Sequence, residues 1–230
     1  MTRKKFLQYL FACLGTATIA ALIRFEAQPE WVVTGYAVLV AALLVVAWRT
    51  RQEIFLYQAI VMLGFTAFRT AMHNFYHLRE PFSASLSGSV WAIALLAGCV
   101  PLAFFVRRTD FEDIPPRLSA IAQHPEQPMF FAPVILLAVL LFLKLQGGKI
   151  TGAWGLEGFA IFILALWAKE RSFRLTGLSL LMLSIGKLVY DAFYFHNRQI
   201  QALAWIGVGV LILAVAFLYG KNREALRDYL

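Results

Sequence analysis

The stretch Ile54–Tyr76 reads IFLYQAIVMLGFTAFRTAMHNFY, and the stretch Phe173–Phe195 reads FRLTGLSLLMLSIGKLVYDAFYF. Both are apolar on nearly every face, whereas a surface helix of a soluble protein is apolar along one stripe only. About 20 predominantly apolar residues suffice to cross a bilayer as a helix. Both stretches therefore predict transmembrane helices. Each also carries a basic residue, Arg69 in the first and Lys187 in the second, and the two are 118 residues apart.

The rest of the chain has the same character. Its 230 residues are 60% hydrophobic and 15% charged, a composition that soluble domains rarely have. No segment alternates apolar and polar positions over about ten residues, as the strands of a membrane barrel do. The sequence therefore predicts an all-α, polytopic transmembrane bundle of about eight spans. The expected spans are Phe6–Ile23, Trp31–Trp48, Ile54–Tyr76, Ser85–Val106, Met129–Leu145, Gly152–Ala168, Phe173–Phe195 and Ile200–Tyr219.

The basic residues indicate how the spans are oriented. Fourteen of the 21 Lys and Arg residues fall at one set of span ends and five at the other, and cytoplasmic ends carry the excess of Lys and Arg. This bias predicts a multi-pass protein of the bacterial inner membrane with both termini in the cytoplasm. The net charge of +8 is spread over the span ends and forms no single basic patch, so nucleic acid is not an expected partner. The expected partners are the lipid bilayer and other membrane subunits.

The two quoted stretches also suggest an internal repeat. At an offset of 118 residues, Arg69 aligns with Lys187 and Thr66 aligns with Ser184. Because four is an even number of spans, two four-span halves would share one orientation, related by an axis along the membrane normal. The expected segments are a first four-span unit at 1–108, a proline-containing cytoplasmic linker at 109–128 and a second four-span unit at 129–230.

Four charged residues lie inside the predicted spans, where a charge is expensive and usually faces protein or water. They are Arg69, Glu157, Lys187 and Asp191. Lys187 and Asp191 are four residues apart and share a helix face. If the sixth and seventh spans turn near Glu170, the rise of about 1.5 Å per residue puts Glu157 and Lys187 within roughly 6 Å of each other in depth. The sequence thus predicts a buried Glu157–Lys187–Asp191 cluster, which Arg69 joins if the third and seventh spans meet.

Three interpretations of this buried charge cluster are open. The cluster can fix helix packing, with pairing that offsets part of the desolvation cost. It can instead form a proton or ion relay, or a site for an anionic headgroup or substrate. In the third interpretation its basic residues snorkel to the membrane interface.

Three histidines near the outer ends of the spans are candidate ligand-binding residues. His73 and His77 are four residues apart and face one side of the third span, and His196 follows the seventh. Two histidines at this spacing can hold a metal or a haem edge, but no Cys or carboxylate joins them at metal-ligand spacing. We therefore expect no metal and no cofactor. His124, in the linker, is expected to be solvated.

The motif content does not favour an enzyme. The chain has no phosphate-binding Gly-rich loop that ends in Lys and Ser or Thr, and no Gly-x-Ser-x-Gly or His-Glu-x-x-His motif. Its loops are too short for a soluble catalytic domain. Small residues in the last two spans are expected to let helices approach closely. These residues are Gly177, Ser179, Ser184, Gly186, Gly207 and Gly209.

Two segments of the second half carry a family resemblance. Ala153–Gly158 reads AWGLEG, and Leu183–Asp191 reads LSIGKLVYD. The Trp-x-x-Glu-Gly start and the Lys-x-x-x-Asp pair resemble the C-terminal spans of large bacterial membrane proteins classed as domain of unknown function twenty-three thirty-nine. The resemblance continues to the end of the eighth span. It implies a helical membrane architecture and points to Glu157, Lys187 and Asp191, and it implies no reaction.

These features together predict an integral membrane protein with a buried charge cluster and no enzymatic activity. The expected role is that of a structural or assembly subunit, or of a transport-associated subunit. A small proton- or ion-coupled secondary transporter is the first alternative. A lipid-modifying or redox membrane enzyme that uses the outer histidines is the second.

Overall fold

The computed structural model describes residues 3–76, 84–108, 124–145, 148–168, 170–194 and 198–221. His77, His196 and most of the predicted linker lie outside the described residues, as does the side chain of Asp191. The regular elements in the described part of the chain are helices. They are α1 (Arg3–Glu26), α2 (Val32–Thr50), α3 (Glu53–Arg69, continued by a π-helical turn at Thr70–Asn74), α4 (Ala84–Arg107), α5 (Glu126–Lys144), α6 (Gly148–Ala168), α7 (Arg171–Tyr194) and α8 (Arg198–Lys221).

Seven of the described helices, α1 to α7, are long and apolar enough to cross a membrane by length and composition. Each lies where a span is predicted, so the all-α transmembrane bundle is confirmed. α8 forms at the place of the eighth predicted span, but its apolar segment among the described residues is shorter, Trp205–Phe217.

Local signals explain where two of the helices end or begin. α2 ends at Thr50 because Arg51 adopts a left-handed conformation, with φ 55°, and donates its backbone N–H to the carbonyl of Ala47. A left-handed residue after the last helical position is a common way to terminate a helix. α5 begins at Glu126 rather than at the predicted Met129, and Pro128 lies in its first turn. A proline is tolerated there because first-turn N–H groups have no intrahelical partner.

The chain divides into two compact units, with the division inside α5. Unit 1 is Met1–Leu137 and unit 2 is Ala138–Leu230. The sequence-based boundaries at 108 and 129 stay a prediction. Each unit has its own buried helix–helix contacts, and these contacts position the charged residues.

In unit 1, α2 is the central helix and packs against both α3 and α4. Its packing face is formed by Val33, Ala37, Val40 and Leu44, none of which has exposed area. These residues recur at spacings of three and four, which places them along one side of the helix. Val38, on another side, is 53% exposed. α2 therefore buries one stripe within unit 1 and carries exposed apolar side chains such as Val38 on another side.

α1 reaches α3 through polar side chains. The Tyr9 hydroxyl donates to Glu53 Oε1 at 3.0 Å, and Thr16 Oγ1 donates to Gln58 Oε1 at 2.7 Å. The Gln58 amide lies 3.4 Å from Cys13 Sγ. Most of the large apolar side chains of α1 that the structure describes are exposed. Polar pairs hold helices together in lipid, where apolar surface has no water to avoid.

In unit 2, α6 and α7 cross at two glycines. A Cβ added at Gly158 would lie 2.9 Å from the carbonyl oxygen of Gly177. A Cβ added at Gly177 would lie 2.9 Å from both the Gly158 oxygen and the Phe162 nitrogen. Only residues without a side chain let two helix backbones come this close. Beside this crossing, Phe162, Leu181 and Val215 form a buried cluster that includes all three helices α6, α7 and α8.

The close-packing prediction for small residues holds at Gly177 and is wrong at three other glycines. A Cβ at Gly186, Gly207 or Gly209 would meet nothing within 4 Å in the described part of the chain. Ser184 is fully buried, and its hydroxyl donates to the carbonyl of its own helix one turn earlier, at 2.9 Å. Serine often forms this intrahelical bond, which satisfies the hydroxyl without an interhelical partner.

Candidate functional site

Glu157 lies in α6, within the segment Lys149–Leu166 that is apolar enough to cross a membrane. Glu157 is 8% exposed, and the next residue on its face, Ile161, is also buried. Neither carboxylate oxygen of Glu157 has a hydrogen-bond partner among the described residues. An ionised carboxylate that is buried without a partner costs far more than one that is paired. The site therefore favours a bound proton or cation over a bare negative charge.

The glycine crossing fixes where the Glu157 side chain points. Gly158 faces α7 directly, at the contact with Gly177. Successive helical residues are rotated by about 100°. Glu157 therefore projects to the flank of the α6–α7 interface and not into it.

Glu157 and Lys187 are not brought together within the described residues. Because Gly158 meets Gly177, Glu157 is level with residue 178 of the antiparallel helix α7. Lys187 lies nine residues further along (187 − 178), which is roughly 14 Å at a rise of about 1.5 Å per residue. The sequence-based depth difference of roughly 6 Å assumed that both helices run symmetrically from a turn near Glu170. α6 does end at Ala168 and α7 does begin at Arg171, but the Gly158–Gly177 contact sets a different register.

The other members of the predicted cluster are placed separately. Lys187 is half-buried, and its Nζ lies 5.4 Å from the centroid of the Tyr190 ring, which is within range of a cation–π contact. The backbone of Asp191 continues α7, but its side chain lies outside the described residues. A Lys187–Asp191 contact stays a prediction. So does the participation of Arg69, which belongs to unit 1.

Arg69 is tied to the loop between α1 and α2. Its Nη2 donates to the carbonyl of Pro29 at 3.2 Å. Its Nε is buried and has no hydrogen-bond partner among the described residues. Arg24, near the end of α1, is close enough to repel Arg69 electrostatically. Arg69 thus has an anchored guanidinium with unused donor capacity.

The helix widens into a π-helical turn, Thr70–Asn74, directly after Arg69. Asn74 is fully buried, and its Nδ2 donates to the carbonyl of Glu30 at 3.0 Å. The Asn74 Oδ1 has no hydrogen-bond partner in the described part of the chain. His73 lies in the same turn and is half-buried. π-helical turns within α-helices occur frequently at functional sites, so this turn is a second candidate region.

A metal centre is not among the arrangements that the described residues form. In that part of the chain, no group of three His, Cys, Asp or Glu side chains is placed to hold a metal ion. Of the three candidate histidines, the structure describes only His73. Metal or haem ligation by His77 and His196 lies outside the described residues.

The sequence did not predict a buried ion pair at the start of α5. Glu126 has no exposed area, and its Oε1 accepts a hydrogen bond from Arg107 Nη1 at 2.9 Å. The same oxygen lies 3.0 Å from His124 Nδ1. His124 is 44% exposed, so its predicted solvation is only partial. The available signal was an acidic residue in the first turn of an apolar helix, where the helix dipole favours negative charge.

No protein-family model matches the chain, and no curated protein or solved structure matches it. The resemblance to domain of unknown function twenty-three thirty-nine therefore rests on the residues quoted for it and stays a prediction.

Proposed function

We propose that this protein is a non-enzymatic, transport-associated membrane protein in which Glu157 takes up and releases a proton. The observation that carries the proposal is the Glu157 carboxyl group, which is 8% exposed and has no hydrogen-bond partner among the described residues. Intramembrane carboxylates of this kind typically belong to proton or ion pathways.

A proton fits Glu157 better than a metal cation does. Hard cations such as Ca²⁺ and Mg²⁺ need about six or more oxygen ligands. The residues one helical turn from Glu157 are apolar (Ala153, Trp154, Ala160 and Ile161), and Ile161 is buried. A proton needs only the carboxylate itself, and it removes the charge that makes burial costly.

In this proposal the protein lies in the bacterial inner membrane with both termini in the cytoplasm, as the distribution of Lys and Arg predicts. The two predicted four-span halves, 1–108 and 129–230, would share one orientation because each has an even number of spans. Other membrane subunits associate with it, and the exposed apolar side chains of α1 offer a surface for lipid or for such a subunit.

The test compares Glu157→Gln with Glu53→Gln in the full-length protein, purified and reconstituted into liposomes. Glu53 is also 8% exposed, and its Oε1 accepts a hydrogen bond from Tyr9 that a glutamine oxygen can keep. Infrared difference spectra between acidic and alkaline pH report the carbonyl band of protonated carboxyl groups. We expect a titrating band in the wild type and in Glu53→Gln that is missing in Glu157→Gln.

A second measurement separates proton transfer from static protonation. A pH-sensitive dye trapped in the same liposomes reports proton flux under an imposed membrane potential. We expect an inward flux above that of protein-free liposomes, and its loss in Glu157→Gln. The proposal fails if the spectra of wild type and Glu157→Gln are the same, or if both proteins give equal flux.

A further inference from the structure

We propose that the end of unit 1 that carries the α1–α2 loop binds a phosphate group, with Arg69 as the main ligand and Arg24 as the second cation. This site consists of Arg69, Arg24 and the loop segment 27–31. It lies in unit 1, so it is independent of the proton chemistry of Glu157.

The guanidinium groups of Arg24 and Arg69 favour binding of an anion at this end of unit 1. Arg24 repels Arg69, and Arg69 has no acidic partner among the described residues. Glu26 and Glu30 lie in the same part of the chain, yet neither is paired with Arg69 there. Arg24 is exposed and Arg69 is half-buried, so an anion that contacts both guanidinium groups would offset their mutual repulsion.

The donors of Arg69 are held in place before any ligand arrives. The carbonyl of Pro29 accepts from Nη2 at 3.2 Å, which anchors the guanidinium, while the buried Nε has no hydrogen-bond partner among the described residues. A buried N–H that lacks an acceptor is costly. An anion oxygen is the acceptor that this cation favours most strongly.

The loop that frames the site is fixed from two sides. Asn74, at the end of the π-helical turn, donates to the carbonyl of Glu30. Gly88 of α4 lies against the same carbonyl, because a Cβ at Gly88 would clash with the Glu30 oxygen. Thr34 Oγ1 donates to the carbonyl of Gly88 at 3.0 Å. A site that is already ordered loses little entropy when its ligand binds.

The chemistry and the depth of the site select a phosphate group. Guanidinium groups bind phosphate through forked hydrogen bonds, and a phosphate has enough oxygens to accept from two arginines at once. Arg24 lies near the end of the span Leu7–Glu26, and Arg69 lies near the end of the span Glu53–Asn74. Ends of spans lie at the level of lipid headgroups, whose phosphates are one source of this ligand. Free phosphate is the other.

The experiment measures binding of both phosphate sources to the full-length protein in a detergent without phosphate. Inorganic phosphate is titrated by calorimetry, and phosphatidylglycerol is titrated by native mass spectrometry. We expect saturable binding of at least one of the two, weakened about tenfold or more in Arg69→Gln because charge-assisted hydrogen bonds are lost. Binding of phosphatidylglycerol alone identifies a lipid headgroup site, and binding of inorganic phosphate identifies a site for the free anion.

Arg49→Gln is the matched control, because Arg49 is also near the end of a span and its Cζ lies 5.2 Å from the ring centroid of its neighbour Trp48. This variant should bind as the wild type does. Arg69→Lys keeps the positive charge but loses the two parallel N–H donors of the guanidinium group. It should bind more weakly than the wild type and more tightly than Arg69→Gln. If Arg69→Gln does not fold, Arg24→Gln takes its place with the same expectation. No saturable binding to the wild type, or equal weakening by the Arg49 variant, would overturn the proposal.

Discussion

Glu157 and Glu53 are equally buried, each at 8% exposure, but they differ in their partners. Glu53 accepts a hydrogen bond from Tyr9, whereas neither oxygen of Glu157 has such a partner among the described residues. An unsatisfied buried polar group costs folding free energy that a satisfied one does not. We therefore expect Glu157 to lower the stability of the fold relative to an apolar residue at the same position.

Replacement of these two glutamates by leucine should change stability in opposite directions. Glu157→Leu should raise the free energy of unfolding by about 1–3 kcal/mol, because it removes an unsatisfied polar group. Glu53→Leu should lower it by about 1–3 kcal/mol, because the Tyr9 hydroxyl then loses its acceptor. Reversible unfolding in mixed detergent micelles measures both values. Equal destabilisation by the two changes would mean that Glu157 has a stabilising partner after all.

The sequence predicts Glu157 as a candidate site but does not predict its position relative to Lys187. A carboxylate within an apolar span is rare and is usually functional, so Glu157 could be recognised as a candidate from the sequence. Its separation from Lys187 was not predictable, because counting residues to a hairpin turn gives depth only if the register is known. The contact between Gly158 and Gly177 sets that register, and glycines elsewhere in the same helices, such as Gly186, make no such contact with the described residues.

At the scale of helices, apolar length was sufficient to predict α1 to α7. The local departures from regular helix were not predictable in the same way. The π-helical turn after Arg69 accompanies a tertiary contact, the hydrogen bond from Asn74 to the Glu30 carbonyl. The start of α5 at Glu126 places that carboxylate against Arg107, a residue of another helix. Sequence periodicity carries no information about such contacts between helices.

Addition of one methyl group should destabilise the α6–α7 crossing at Gly177 but not at Gly186. Gly177→Ala should lower the free energy of unfolding by about 1–3 kcal/mol, because the new Cβ would press on the backbone of α6. Gly186→Ala should leave it unchanged or raise it by up to about 1 kcal/mol, because alanine favours helix and its Cβ meets open space. Unfolding in mixed micelles measures the difference. Similar losses in both variants would contradict the crossing geometry.

The ion pair between Arg107 of α4 and Glu126 of α5 should stabilise the protein, whereas the adjacent Arg108 should contribute little. Arg107→Gln should destabilise the protein by about 3 kcal/mol, because it removes the guanidinium group that pairs with the fully buried Glu126. Arg108→Gln, which changes the adjacent exposed residue, should alter stability by less than about 0.5 kcal/mol. Thermal unfolding in detergent tests both. An Arg107 variant as stable as the Arg108 variant would show that the ion pair contributes nothing.

At the scale of the whole molecule, the two units have similar internal connections. In unit 1, α2 packs against α3 and α4, and in unit 2, α6 packs against α7 and α8. Thr66 and Ser184, which align at the offset of 118 residues, are both fully buried and donate to the carbonyl one turn earlier in their helices. An internal duplication stays a prediction, and this shared pattern is what it would produce. If the halves are duplicates, their charges have diverged, because the buried Glu157 aligns with Leu39.

The orientation of the C-terminus depends on whether α8 crosses the membrane. Its apolar segment among the described residues is Trp205–Phe217, shorter than the spans of α1 to α7. Such a segment can still span a bilayer that thins locally or that meets snorkelling basic residues, and Arg198 and Lys221 flank the helix. Basic residues that follow Lys221 in the sequence favour a cytoplasmic end. We therefore expect α8 to cross and both termini to lie in the cytoplasm.

Full-length fusions to a fluorescent protein that matures only in the cytoplasm test this topology. One fusion carries the reporter before Met1 and the other carries it after Leu230, and both should fluoresce. An N-terminal fusion that fluoresces beside a dark, stably expressed C-terminal fusion would show that α8 does not cross. In that case the chain would have an odd number of spans, and the predicted division into two equivalent four-span halves would be wrong.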